Sequence, residues 1–171
     1  MKNTSMSMGA NPTLEDLQIF LNENFDFRYN VLTDMPECKP KNTNTYRMID
    51  KRMLNSLSYK AMMQGIDCKD ADVKRFLFSD QIATHHPFKD YIATLPEWDG
   101  TDRVMMLAAR VSGKAMWLNG FHRWMLGMVA QWLGYPARCA NALAPILISA
   151  EQGMCKSTFC SILLPEELRG Y

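Results

Sequence analysis

Residues 150–158 read Ala150-Glu151-Gln152-Gly153-Met154-Cys155-Lys156-Ser157-Thr158. These residue types suit one task, holding a chain of phosphates. Successive backbone N–H groups in such a loop form an anion-binding concavity, and a helix starting after it adds its positive end. Lys156 would reach the β- and γ-phosphates as a point charge, and the Ser157 hydroxyl would ligate magnesium. Gly153 lets the backbone approach the phosphates with no Cβ in the way. The expected nucleotide-binding set is Gly153, Met154, Cys155, Lys156, Ser157 and Thr158, with ATP and Mg2+ as ligands. The pattern G-x-x-x-x-G-K-[ST] asks for glycine where this chain has Ala150 and Cys155. Ala150 is a mild departure. Cys155 puts a side chain beside the lysine at the tightest point of the loop, so a positive φ or a close approach there would weaken phosphate binding.

The elements around the loop must position it. Ala144-Pro145-Ile146-Leu147-Ile148-Ser149 is a short apolar run without alternation, which predicts a strand buried on both faces. Phe159, Ile162, Leu163 and Leu164 predict a short helix before Pro165. Strand, tight loop, Lys-Ser/Thr and helix is the context of a P-loop. The competing reading is a helix start that only looks like one.

Upstream, residues 1–12 read as a flexible leader. Thr13 reads as the cap of a helix carrying Leu14, Leu17, Phe20 and Leu21. Phe25, Phe27, Tyr29 and Val31 alternate with Asp26, Arg28 and Asn30, a half-buried strand. A turn at 33–36, a return strand through Cys38, a polar loop at 39–45 and a strand at 46–49 complete a small antiparallel unit. Asp50 is placed to cap a helix that Gly65 stops, and a second helix over 70–78 puts Val73, Phe76 and Leu77 on one side. His86-Pro87-Phe88 opens another helix, ending before Pro96. Trp98, in the turn Pro96-Glu97-Trp98-Asp99-Gly100, reads as a structural anchor, and a helix over 101–111 follows it. Phe121, Trp124, Met125, Met128, Val129 and Trp132 form one helical stripe, stopped by Gly134 and Pro136. Core packing is its commoner use, and a partner-binding face is the alternative.

The 171 residues carry a net charge of +1 and are 47% hydrophobic, enough to build a core. The charge is unevenly spread: residues 28–75 and 106–160 carry +4 each, with −3 on residues 76–105 between them. Arg47, Lys51, Arg52, Lys60, Lys74 and Arg75 in the first basic block would supply phosphate contacts to DNA, although solvated helix faces carry the same residues. Cys38, Cys68, Cys139, Cys155 and Cys160 form no CxxC pair, which argues against a zinc site. Their irregular spacing fits reduced, buried thiols in a cytoplasmic protein. No apolar run approaches the roughly 20 residues of a membrane span, so no membrane partner is expected.

Several short motifs occur in a characteristic order. His86-Pro87-Phe88-Lys89-Asp90-Tyr91 is followed by Leu95-Pro96-Glu97-Trp98-Asp99-Gly100 with Asp102-Arg103, then by His122-Arg123-Trp124-Met125 and residues 144–159. With Phe25-Asp26-Phe27-Arg28-Tyr29-Asn30 upstream, this succession resembles the virulence-associated E (VirE-like) family of primase–helicase proteins from phages and mobile elements. The likeness covers about residues 14–171. It implies a replication-associated ATPase related to superfamily 3 helicases, with an AAA+-like core that works on DNA as a homo-oligomeric ring. Gly153, Lys156, Ser157 and Thr158 match the family's loop.

A P-loop ATPase also needs a downstream acidic strand end and an arginine from a neighbour. No strand remains after the loop to carry them, so the expectation is an N-terminal part of such a protein, with no catalytic residue of its own and no hydrolysis by this chain alone. The expected fold is α+β and mainly helical: a leader at 1–12, a small α+β module at 13–80, a helical domain at 81–140, and the truncated start of an α/β ATPase core at 141–171. The alternatives are a non-catalytic DNA-binding domain and a helical adaptor, each with a vestigial P-loop.

Overall fold

The computed structural model describes residues 12–135, 141 and 143–171. The leader lies outside them but for Pro12, as do Pro136 and Cys139. The fold is α+β, mainly helical, with one small mixed sheet, and the chain divides into two units, Met1–His86 and Pro87–Tyr171.

The first unit runs α1 (Pro12–Asn24), β1 (Phe25–Asn30), β2 (Met35–Pro40), β3 (Arg47–Met48), α2 (Lys51–Met63), α3 (Asp70–Leu77) and β4 (Thr84–His85). Helix α1 opens at Pro12, where a missing N–H costs nothing, so Thr13 lies inside the first turn and not at the cap. Asp50 caps α2 as its position predicts, its carboxylate accepting the Met53 N–H at 2.7 Å. Gly65, at φ 83°, takes the left-handed turn that ends this segment.

The sheet order is β3-β2-β1-β4. The first three strands are antiparallel, with Arg28 opposite Glu37 and Cys38 opposite Arg47. The fourth corrects the expectation of a purely antiparallel unit: β4 runs parallel to β1, tied by Tyr29 N–H to the Ala83 carbonyl (2.9 Å) and Val31 N–H to the His85 carbonyl (3.0 Å). Two residues carry no period, so only the open edge of β1 makes Thr84–His85 a strand.

Leu17 and Leu21 from α1, Leu57 and Ala61 from α2, and Val73 and Leu77 from α3 pack over Phe25 and Cys38 of the sheet. Burial pushes the Cys38 thiol up to about 11, offset in part by the Lys60 charge. Cys68 is buried too, but Cys155 and Cys160 are exposed, so the expected set of buried thiols is only partly realised. Asn30, expected on the solvent side of an alternating strand, is fully buried. Its amide donates to Glu37 (2.8 Å), whose other oxygen accepts from Arg28 Nε at 2.6 Å. The Arg28 guanidinium lies 4.0 Å from the centre of the Tyr46 ring.

The second unit holds α4 (Pro87–Ala93), α5 (Arg103–Ala109), α6 (Ala115–Trp132), α7 (Lys156–Ile162) and a 3-10 turn at Glu166–Leu168. Asp102 caps α5 through the Met105 N–H at 2.9 Å. On α6 only Phe121 of the aromatic stripe is buried, while Trp124, Met125, Met128, Val129 and Trp132 are half-buried. Trp132 stacks on Phe88 with centroids 4.5 Å apart, and Phe121 meets Trp117, Trp124 and Phe159. Trp98 is no anchor: 76% of it is exposed, with its indole N–H given to the Thr101 carbonyl at 3.1 Å.

Residues 144–149 also depart from expectation. They form no strand, and Ile146 and Ile148 are 76% and 89% exposed. Among the described residues the sheet lies wholly in the first unit, so this run has no neighbour to bond and no layer to bury it. Among the described residues no helix is long and apolar enough to cross a membrane.

Candidate phosphate-binding loop and basic helix face

The loop at 150–158 is built from short-range bonds. Ser149 Oγ accepts the Glu151 N–H (3.1 Å) and donates to the Glu151 carbonyl (3.0 Å), closing a tight turn. Gly153 then adopts φ 80° and Cys155 φ 52°, ψ 26°, so two left-handed residues flank Met154. Helix α7 starts at Lys156, and its first internal bond runs from the Phe159 N–H to the Cys155 carbonyl at 2.9 Å. The N–H groups of Gly153, Met154, Cys155 and Lys156 donate to no other described residue. Turns with left-handed residues are one way in which successive N–H groups come to face an anion.

The side chains follow. Lys156 reaches back along the loop, its Nζ donating to the Glu151 carbonyl at 3.5 Å. Ser157 and Thr158 are exposed on the first turn of α7, and Met154 is 58% exposed. Phe159, half-buried, holds α7 against Phe121 of α6 with centroids 6.1 Å apart. Upstream, the Asn141 amide donates to the Trp124 carbonyl at 2.9 Å and lies over Gly127, where a Cβ would come within 3.0 Å of it. Residues 143–146 then line a hollow with Trp117, Phe121 and Trp124. The chain entering the loop is thus held by α6 in place of a sheet.

Cys155 answers the question its sequence position raised. Glycine stands there in the usual pattern, and here a residue with a Cβ occupies the left-handed region, at a cost of about 1–2 kcal/mol. Cys155→Gly is expected to relieve that strain, less the added freedom of glycine in the unfolded chain. The net gain should be roughly 0.5–1 kcal/mol for the second unit, read as a rise in the midpoint of tryptophan-monitored urea unfolding. A fall in the midpoint would show that the cysteine side chain contributes more than its backbone strain costs.

The DNA-contact candidates lie in the first unit, and the fold separates them. Lys51, Arg52 and Lys60 line one open hollow of about 590 Å³ on the outer face of α2, with Asn55, Ser56 and Tyr59. Arg47 is exposed on β3, and Lys74 and Arg75 are exposed on α3; none of the three lines that hollow. Arg75 is paired with Asp72 at 2.9 Å, and Lys74 lies 5.9 Å from the Phe78 ring. Lys51 and Arg52 form no ion pair with another described residue.

Against protein-family models, curated proteins and solved structures, the chain has no match. The site therefore rests on its own geometry. Tyr59 is the residue that sequence reasoning missed. Its signal was present: it stands seven positions after Arg52 and eight after Lys51, the spacing of one helix face, opposite the inward Leu57.

Proposed function

We propose that the chain belongs to a nucleoside-triphosphate-driven DNA-processing protein of the virulence-associated E kind. In this reading residues 150–158 hold the phosphates of ATP, Ser157 ligates Mg2+, and the first unit contacts DNA. The motor to which it belongs works as a homo-oligomeric ring in the cytoplasm. One observation carries the reading: four consecutive backbone N–H groups, at Gly153 to Lys156, have no bond to another described residue, on a loop that leads directly into Lys156-Ser157-Thr158. Unbonded N–H groups in a row, a lysine whose ammonium reaches the Glu151 carbonyl of the same loop and a hydroxyl on the next residue suit a magnesium-bound triphosphate.

Lys156 should dominate affinity, because a hydrogen bond to a charged group is worth about 1.5–3 kcal/mol. Titration with Mg·ATP, followed by calorimetry, is expected to show binding in the millimolar range for the wild type and at least about tenfold weaker binding for Lys156→Ala. Superimposable curves for the two proteins would remove the nucleotide reading.

A second reading is a non-catalytic DNA-binding module in which the first unit does the work and the loop is vestigial. What favours it is the outer face of α2, where Lys51 and Arg52 project without an acidic partner among the described residues. Both readings require DNA at the first unit, and they separate on Mg·ATP binding.

A further inference from the structure

We infer that the outer face of α2 binds single-stranded DNA, with Tyr59 as the platform on which a base stacks and Lys51, Arg52 and Lys60 as its phosphate contacts. This rests on the DNA-contact reading of the first unit and adds to it the strand state and the residue that selects it.

The first support is electrostatic. Lys51 and Arg52 occupy the first turn of α2, which contains no acidic residue. The positive end of a helix disfavours cations, so folding stability does not account for them there. The Asp50 carboxylate is the nearest acid on the same element, and it is committed to the Met53 N–H at 2.7 Å. A helix start and two cations without an ion pair raise a positive potential over an open hollow, which suits a polyanion.

The second support is the aromatic. Tyr59 is 62% exposed. Its side chain has neither a hydrogen bond nor a ring contact with another described residue. It separates two hollows, one lined by Lys51 and Arg52, the other by Lys41 and Asn42 with Glu23 as its acid; Tyr59 and Lys60 line both. Lys60 lies 5.3 Å from the Phe25 ring, in the hollow that it lines with Tyr59. Arg52 and Lys60 are eight residues apart, about 12 Å along the helix, and Tyr59, seven residues after Arg52 and directly before Lys60, lines the same hollow as both. Cations spaced along a groove with an exposed aromatic face between them is the arrangement that binds unpaired strands, because every base has a face to stack and a duplex hides its bases.

The full chain is titrated with labelled oligo(dT), an abasic strand of equal length, oligo(U) and a duplex, by fluorescence anisotropy over a series of salt concentrations. The expected order has oligo(dT) tightest. Tyr59→Ala should weaken oligo(dT) binding about tenfold, Tyr59→Phe should preserve it, and the abasic strand should bind the wild type as weakly as oligo(dT) binds Tyr59→Ala. Lys51→Gln with Arg52→Gln should lower the steepness of the log–log salt dependence by about 1.4, from about 0.7 per phosphate contact. Equal binding of oligo(dT) and the abasic strand, or of wild type and Tyr59→Ala, would overturn the platform. A duplex or oligo(U) bound more tightly than oligo(dT) would overturn the choice of single-stranded DNA. In those cases, loss of affinity in the Lys51/Arg52 variant still supports DNA contact by the first unit, whereas a chain that binds none of the four probes removes both claims.

Discussion

Glu37→Ala is expected to destabilise the first unit by about 3 kcal/mol, a large share of the roughly 5–15 kcal/mol that holds a domain folded. Glu37 joins two strands: one carboxylate oxygen accepts from Arg28 at 2.6 Å and the other from the buried Asn30 amide at 2.8 Å. Alanine removes both acceptors at once. Arg28 keeps some solvent and the Tyr46 ring, which holds the cost towards the lower end for a broken buried pair. The Asn30 amide loses its Glu37 acceptor with no exposed surface of its own. Glu37→Gln, which keeps an acceptor for one partner, should lose about half as much. The measurement is urea unfolding followed by far-UV circular dichroism. All four tryptophans, at 98, 117, 124 and 132, lie in the second unit, so their fluorescence provides a separate report on that unit. A loss below about 1 kcal/mol for Glu37→Ala would mean that water replaces the carboxylate at little cost.

Leu57→Ala should cost about 3–4 kcal/mol, within the 2–5 kcal/mol range of buried leucine truncations. Leu57 has no exposed surface and sits among Leu21, Ala61 and Val73 in a cluster drawn wholly from the first unit. Neighbours contributed by three helices and a sheet collapse poorly into the space left behind, which argues for the middle of that range. The functional consequence follows from the other side of the same helix, since Leu57 is what seats α2 with Tyr59 and Arg52 facing out. Rising urea should therefore abolish DNA binding by Leu57→Ala at a lower concentration than in the wild type, with the tryptophan transition unmoved. A coincident shift of the tryptophan signal would show that the two units unfold together.

What the sequence revealed was whatever is decided within one or two turns of chain. Asp50 and Gly65 bracket α2, and Asp102 caps α5, because a cap needs only its own neighbours. The alternation at 25–31 located β1 for the same reason. Features decided by a distant partner were not legible. Residues 144–149 have the composition of a buried strand, but a strand exists only through its neighbour, and the described residues offer none. Asn30 falls on the polar phase of β1, yet Glu37 draws it into the interior. At the candidate loop the residue types and the departure at Cys155 were readable from the pattern. The unbonded N–H groups and the left-handed backbone at Cys155 are properties of the folded loop that no residue type encodes by itself. The α2 face was half legible: its cations were named from charge, while Tyr59 emerged only once Leu57 was known to point inward.

The parallel pairing of β4 with β1 also orders events in time. The hairpin of β1 and β2 can close as soon as residues 25–40 exist. The bonds between Tyr29 and Ala83 and between Val31 and His85 must wait for all of α2 and α3, and closing so long a loop for two short rungs is entropically poor until those helices have packed. On a chain emerging residue by residue, β4 is the last of the described strands to dock. Because only His86 separates β4 from Pro87, where the second unit begins, the last stretch of the first unit is fixed only when that unit has finished folding.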